Sequence, residues 1–360
     1  MEAKKTKHGG GVSLPEDVIF EVLARLPVRS LCRFRCVCKA WRALISDPAF
    51  AAAQSSHAAP LVAGVFAAPN RQCELRLIDT DGNVVRVVPG VAGAVVPARL
   101  DLVCVDGGKE RGALVVDPAT GRAVTVGGGR GLYYHRVGRA LSGAYKVVGR
   151  HYGCRLEIAT LGAGAGEPTW RQVPVQPPAG ICSCHGCTAA VNGVLFLTGH
   201  PFARTCRSHV ARLDLESEEW KTTVEAPAAE WPKEEERFET RIGELKGALS
   251  MVETVRSPMD GTYTNVWLLV DPEKSVWVKA YTIPMPRTAS IVEALEVLGD
   301  GTILLLSTFE MEGFSYLFER KKMRTLQLYD PSTRVFRNLM KMGEDQFCGK
   351  VALYTGSLLT

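Results

Sequence analysis

The densest set of side chains able to do chemistry is Cys182-Ser183-Cys184-His185-Gly186-Cys187, followed by His200, Cys206 and His209. Thiolates and imidazoles are zinc ligands, and a structural zinc site takes four of them in tetrahedral reach, usually as closely spaced pairs. Cys184 and Cys187 have C-x2-C spacing, but no second such pair follows, and Cys206 with His209 would have to complete the set. Packed thiols are therefore the preferred reading, and no metal is expected. A thiol nucleophile needs a base beside it, and no Cys/His pair here has a spacing that argues for one. Gly127-Gly128-Gly129-Arg130-Gly131 is Gly-rich, yet no Gly-Lys-Ser/Thr follows and no helix start opens after it. It is neither a phosphate loop nor a dinucleotide fingerprint. No G-x-S-x-G or H-E-x-x-H occurs, and Glu234-Glu235-Glu236 reads as a solvated charge run. The expectation is a chain with no catalytic residues and no cofactor.

Composition narrows the class. A chain of 360 residues with 46% hydrophobic and 22% charged residues has room for one small domain and one large one. A net charge of +5 is too mild to argue for nucleic acid. No apolar run approaches the roughly 20 residues that span a bilayer, so no membrane partner is expected. The start, Met1 to Gly11, carries Lys4, Lys5 and Lys7 without an apolar segment, and reads as a disordered basic tail over residues 1–12 rather than a secretory signal. Without such a signal the eleven cysteines are expected to be reduced, in the nucleus and/or cytoplasm.

Residues 13–50 read as a small helical module. Ser13 and Glu16 have capping-box spacing, with Pro15 in the first turn. Ile19, Val22, Leu23 and Leu26 recur at helical spacing until Pro27 stops the run. A second pattern, Leu31, Phe34, Val37, Trp41, Leu44 and Ile45, ends at Asp47-Pro48. Two or three short helices in about 40 residues cannot bury this much apolar surface, so part of it must meet a partner. Arg25, Arg29, Arg33, Arg35, Lys39 and Arg42 lie between Val22 and Ser46 with no Asp or Glu, a basic surface that could bind nucleic acid, lipid or an acidic protein.

This module resembles the F-box. Leu14-Pro15, Ile19, Leu23, Leu26-Pro27-Val28, Leu31 and Arg35-Cys36-Val37-Cys38-Lys39-Ala40-Trp41-Arg42 stand in that family's order without a gap. The resemblance implies docking on a Skp-type adaptor protein, and through it a cullin, in an SCF ubiquitin ligase. It carries the adaptor contact, or its support, onto Leu14, Pro15, Ile19, Leu23, Leu26, Pro27, Val28, Leu31, Arg35, Val37, Cys38 and Trp41. The expected bounds are 13–55 for the F-box, 56–60 for a linker and 61–360 for a second domain.

Beyond Pro60 short β-branched runs are separated by Gly, Pro and Asp turns. A repeat of apolar strand, Asp-centred turn and second strand is anchored at Asp79, Asp117, Asp214, Asp271 and Asp330. A sixth, degenerate copy, LEIATL…PTWRQVP, has a longer Gly-rich turn. Hairpin signals at Asn192-Gly193 and Asp300-Gly301 precede two of these units. Four strands repeated at roughly 40–60 residues describe β-propeller blades, about six of them. The fold class is thus multidomain, a small all-α module followed by an all-β propeller. From Leu114 to Leu359 the pattern also resembles the F-box-associated, kelch-like domain of plant proteins, notably in IGELKGALSMVET, WVKAYTIPMP and VALYTGSLL, and in the Cys-His-Gly segment. The first unit lacks an innermost strand, so the last apolar run, Lys350–Leu359, is expected to complete blade one rather than add a strand to blade six.

In such blades the strand one-to-two and three-to-four turns share one face, and the remaining links share the other. The long segments 127–140, 177–188, 199–208, 225–241, 256–263 and 309–324 fall on that other face, which is expected to bind a target protein. Its candidate anchors are Tyr133, Tyr134, His135, Arg136, Phe202, Arg204, Trp231, Phe238, Phe314 and Tyr316. The favoured function is a substrate receptor of an SCF ligase. The alternative is a non-degradative F-box scaffold or a carbohydrate- or ligand-binding propeller.

Overall fold

Helix α1 (Glu16–Ala24) opens with Glu16 and Asp17, acids that suit the positive end of a helix dipole. Its N-cap is Pro15 and Glu16 is the first helical residue; Ser13, the other half of the expected capping box, lies outside the described residues. The computed structural model describes residues 14–26, 28–68, 72–127, 132–151, 155–162, 168–173, 187–199, 209–227, 237–310, 322–342 and 347–358. They form a helical unit up to Ala58 and a β unit over Ala59–Gly356.

Three more helices follow α1: α2 (Val28–Phe34), α3 (Lys39–Ile45) and α4 (Pro48–His57). Cys38 caps α3, its sulfur accepting the Trp41 N–H at 3.4 Å. Asp47 caps α4, its Oδ1 accepting the Ala49 N–H at 2.7 Å, with Pro48 in the first turn. Asp47-Pro48 thus ends one helix and starts another, which continues past the expected boundary at 55 to His57. The core is Leu23, Ala24, Leu31, Ile45 and Phe50, with Ile19, Phe20, Leu26, Phe34, Trp41 and Leu44 packed on it. Phe20 meets Phe50 edge-on at 5.2 Å, and Phe34 meets Trp41 in the same way at 5.4 Å.

The β unit is a six-bladed propeller of antiparallel four-stranded blades. Blade one takes β1 (Leu61–Ala67), β2 (Cys73–Ile78) and β3 (Val84–Pro89) from its start and β25 (Phe347–Tyr354) from its end. Blade two is β4 (Ala94–Val95), β6 (Val103–Asp106), β7 (Ala113–Val116) and β8 (Ala123–Val126), after the short strand β5 (Arg99–Leu100) has left between β4 and β6. Blade three is β9 (Tyr133–Arg139), β10 (Tyr145–Arg150), β11 (Leu156–Leu161) and β12 (Trp170–Gln172). Blade four is β13 (Thr188–Val191), β14 (Val194–Thr198), β15 (His209–Asp214) and β16 (Trp220–Glu225). Blade five is β17 (Arg237–Leu245), β18 (Ala248–Ser257), β19 (Gly261–Asp271) and β20 (Val276–Met285). Blade six is β21 (Ala289–Val297), β22 (Ile303–Glu310), β23 (Lys322–Asp330) and β24 (Val335–Met342).

The ring closes as the last apolar run suggests. β25 is the innermost full strand of blade one, pairing Val62 with Leu353, Ala63 with Ala352 and Gly64 with Val351. Its other edge receives β5 in parallel, Leu353 opposite Arg99. The apolar clusters lie between neighbouring blades: blade six meets blade one through Leu304, Leu306, Leu326, Val62, Phe66, Val351 and Leu353.

All five Asp anchors sit between strands three and four of their blades. Asp214 is typical, its Oδ1 accepting the N–H groups of Glu216 at 2.8 Å and Ser217 at 3.0 Å. These turns also fasten blade to blade. Arg86 of blade one donates to Pro118 O in the blade-two turn at 3.0 Å. Lys146 and Arg171 of blade three reach Glu218 of blade four, the lysine at 2.7 Å. Arg212 of blade four binds Glu273 of blade five at 2.6 Å. Gly82, at φ +86°, leaves room for the blade-six backbone, because a Cβ there would lie 2.8 Å from Leu339 O.

Candidate functional site

The helical unit divides its apolar residues between a core and an uncovered face. Among the adaptor candidates, Leu23 is 2% exposed and Leu31 0%, so both hold the unit together from inside. Ile19, Leu26 and Trp41 pack partly onto that core. Leu14 and Val37 are exposed, at 58% and 61%. Pro15 and Cys38 are exposed too, each at a helix N-cap. Val28 opens α2, and Pro27 lies outside the described residues.

Two residues were missed. Val18 is 40% exposed, and Val22, read only as part of the helical repeat, is 56% exposed. Four residues apart on α1, they share one side of the helix, and exposed Leu14 stands just before its N-cap. The spacing was legible; the competing row of Ile19, Leu23 and Leu26 drew the adaptor assignment instead. On α1 the charged neighbours of these valines are acidic, Glu16, Asp17 and Glu21, and the basic residues follow from Arg25 onward. Arg25 is paired with Glu21 at 2.7 Å, while Arg35 donates to Ser46 Oγ at 2.7 Å and Arg42 Nε to Arg35 O at 3.2 Å.

In the propeller, strand order places every expected long segment at a strand two-to-three or inter-blade link. Two of them are less loop than expected. Segment 256–263 is mostly β18 and β19, which run on to Ser257 and from Gly261. Half of segment 127–140 is β9, the inner strand of blade three. Tyr133, Tyr134, His135 and Arg136 are therefore strand residues. His135 and Arg136 are each 5% exposed, which removes both as surface anchors. Phe238 lies in β17, and Phe202, Arg204, Trp231, Phe314 and Tyr316 lie outside the described residues.

His135 is buried because Asp106 of blade two receives it. Asp106 Oδ2 accepts the His135 backbone N–H at 3.1 Å, and Oδ1 contacts the His135 Nδ1 at 3.0 Å and accepts the Gly108 N–H at 2.9 Å. Burial works against the Asp106 charge, but the bonds from His135 and Gly108 outweigh it and hold the carboxyl below its ordinary range. Arg136 is pulled down to about 10, chiefly by burial and then by the like charge of Arg150.

Of the metal candidates, Cys187 donates through Sγ to Thr240 O at 3.7 Å and His209 begins β15. Cys182, Cys184 and Cys206 lie outside the described residues, among which no cluster of three metal-ligating side chains occurs. The central channel is lined by Arg99, Thr188, Arg241, Glu244, Glu293 and Val351. Arg99 reaches across it to Glu296 and, at 3.8 Å, to Glu244. Burial raises the Glu244 carboxyl, with Arg99 opposing the shift and Glu296 adding to it. No described helix is long and apolar enough to cross a membrane.

A small helical unit with an open apolar face, joined to a rigid ring with links gathered on one side, defines a binding protein. Residues 12–51 match the F-box domain and residues 103–351 the F-box associated beta propeller domain, and the chain belongs to this plant F-box family. It is 26% identical over 299 residues to the "Putative F-box protein At3g52320" of Arabidopsis thaliana, spanning 76% of this chain and 73% of the relative. To the Arabidopsis "F-box protein At2g21930" it is 25% identical over 323 residues, or 78% and 76% of the two chains. A third Arabidopsis relative, "Putative F-box protein At3g16210", is 60% identical over 37 residues, about a tenth of each chain. F-box domains bind Skp-type adaptors, and F-box proteins are in general non-catalytic adaptors that recognise substrates for SCF ligases. Kelch-like is only a loose description of this ring.

Proposed function

We propose that this chain is the substrate-recognition subunit of an SCF ubiquitin ligase in the nucleus and/or cytoplasm, itself without catalytic activity. The helical unit docks a Skp-type adaptor, and through it a cullin, by the exposed apolar residues Leu14, Val18, Val22 and Val37. The propeller face made by the strand two-to-three and inter-blade links captures a target protein. Its contribution to ubiquitin transfer is placement of the target beside chemistry done by other subunits.

The observation that carries this reading is the exposure of four large apolar side chains, Leu14, Val18, Val22 and Val37, on a unit with a separate packed core. Large apolar side chains left in solvent on a small unit point to an interface. The run of basic residues from Arg25 to Arg42 favours an acidic partner, contributing to encounter rate and register more than to affinity.

The test is calorimetric titration of the full chain with a purified Skp-type adaptor. Val22→Asp and Val37→Asp should each weaken binding at least thirtyfold, about 2 kcal/mol for a buried anchor that becomes a desolvated charge. Circular dichroism should be unchanged, because both side chains stand in solvent in the free chain. Adaptor binding that survives both substitutions refutes the docking assignment. Binding without target turnover in cells would favour the non-degradative scaffold.

A further inference from the structure

The helical unit has a chemical property that apolar docking does not use. Cys32, Cys36 and Cys38 are free, exposed thiols within seven residues. Cys38 is engaged as the α3 cap. Cys32 on α2 and Cys36 on the turn after it have no such duty, and Cys36 directly precedes Val37, an exposed valine of the docking face. The other described thiols differ: Cys104 is buried, with its thiol pushed up by burial and by the charge of Asp106, and Cys73 and Cys187 are half-buried. In sequence the charges flanking Cys32 and Cys36 are basic, with Arg33, Lys39 and Arg42 exposed and no carboxylate between Val22 and Ser46.

We propose that Cys32 and Cys36 are a modification site at which an anionic low-molecular-weight disulfide, of the glutathione class, exchanges onto the docking face and blocks it. The inference rests on the docking role proposed above. Two features select the reagent. The sulfurs are open to a small molecule, and a disulfide whose carboxylates outnumber its amines is concentrated at a basic surface. The cysteine sulfur, as thiolate, attacks one sulfur of the disulfide; a mixed disulfide forms as the reagent's own S–S bond breaks. The departing half leaves as a thiolate and takes up the proton the cysteine gave up. The cysteine sulfur is oxidised and the departing sulfur reduced, so no further oxidant is needed, and a thiol reverses the step. The adduct sets a charged peptide beside Val37, where docking requires dry apolar contact.

The experiment uses the full chain, first reduced, then exposed to oxidised glutathione, with adducts located by peptide mass spectrometry and adaptor affinity measured before, after and after reduction. Expected results are adducts at Cys32 and Cys36 ahead of Cys73 and Cys104, at least tenfold weaker adaptor binding, and recovery with dithiothreitol. Adaptor bound beforehand should protect both thiols, and the cationic disulfide cystamine should react more slowly than glutathione disulfide. Cys32→Ser/Cys36→Ser should bind the adaptor normally and ignore the disulfide. Stoichiometric adducts with unchanged affinity overturn the proposal, as does a double-serine variant that stays sensitive or adducts that favour Cys73. If that variant folds poorly, the single Cys36→Ser variant must lose most of the sensitivity. A reduced wild-type chain that fails to bind the adaptor defeats the docking reading instead, and the adduct map with its cystamine comparison still decides whether the thiols are a selective site.

Discussion

Leu353→Ala should open the propeller at one place. Leu353 lies on β25, is 6% exposed, and sits in the cluster that joins blade six to blade one. Truncating a buried leucine costs about 2–5 kcal/mol, depending on how far the surroundings collapse into the cavity. Here one wall is the rigid β1 ladder and the other the leucines of β22 and β23, so little collapse is available and about 3 kcal/mol is expected. The cost falls on the seam, because β25 is held to blade one by pairing that spans nearly the whole domain. Local opening of the β1–β25 pairs should then become roughly 150-fold more frequent. Native-state hydrogen exchange reads this directly. Amides of Val62, Ala63 and Gly64 should lose protection by that factor, while Leu195 and Ala211 in blade four stay within a few-fold of wild type. Equal loss across all six blades, or none in β1, would refute the idea that the ring opens at this seam.

Leu31→Ala, inside the helical core, should destabilise that unit by about 2–5 kcal/mol and weaken adaptor binding only through unfolding, a distinction that circular dichroism at the binding temperature makes. Asp106→Ala strips His135 and the Gly108 N–H of their acceptor and should cost about 3 kcal/mol in denaturant melts, whereas a surface carboxylate such as Asp81 should tolerate alanine with little change. Asp330 lies at about 2, held there chiefly by the hydroxyls of Ser332 and Thr333. Its folded-state value is below the unfolded one, so its stabilisation is complete above about pH 4 and is lost as pH falls toward 2. The melting-temperature gap between wild type and Asp330→Asn should close over that window, and a constant gap would contradict the turn's role.

The parts of this structure legible in the sequence were those fixed by local chemistry. Asp79, Asp117, Asp214, Asp271 and Asp330 announce their turns because a carboxylate placed there satisfies successive backbone amides, whatever the rest of the chain does. Asn192-Gly193 does the same through two positive-φ positions, 48° and 77°. Even the closing strand was readable, as an apolar run with no partner nearby. What failed were readings of which side chains are buried, where burial depends on neighbours distant in sequence. His135 and Arg136 look like surface residues by type, and only Asp106 of the preceding blade and the inner position of β9 explain their burial. Helix α4 was missed because Ala49, Ala51, Ala52, Ala53 and Ser55 give no apolar stripe, its core contact resting on Phe50. On α1 both apolar rows were visible, and only packing decides that Leu23 goes inward and Val22 outward.

The position of β25 also has a consequence for synthesis. All four helices are made once the ribosome has passed His57, whereas blade one waits for Phe347–Tyr354 and the helical unit gains its last segment from Ser357. Through most of translation the chain therefore carries the docking helices ahead of a ring with an unpaired β1 edge, the kind of edge that recruits other strands. A transcript stopped before Phe347 would leave this state permanent. Its product would keep the adaptor-facing valines and lose the closed receptor, competing for adaptor without delivering a target. Premature stops late in the coding sequence should thus act as dominant inhibitors rather than simple losses.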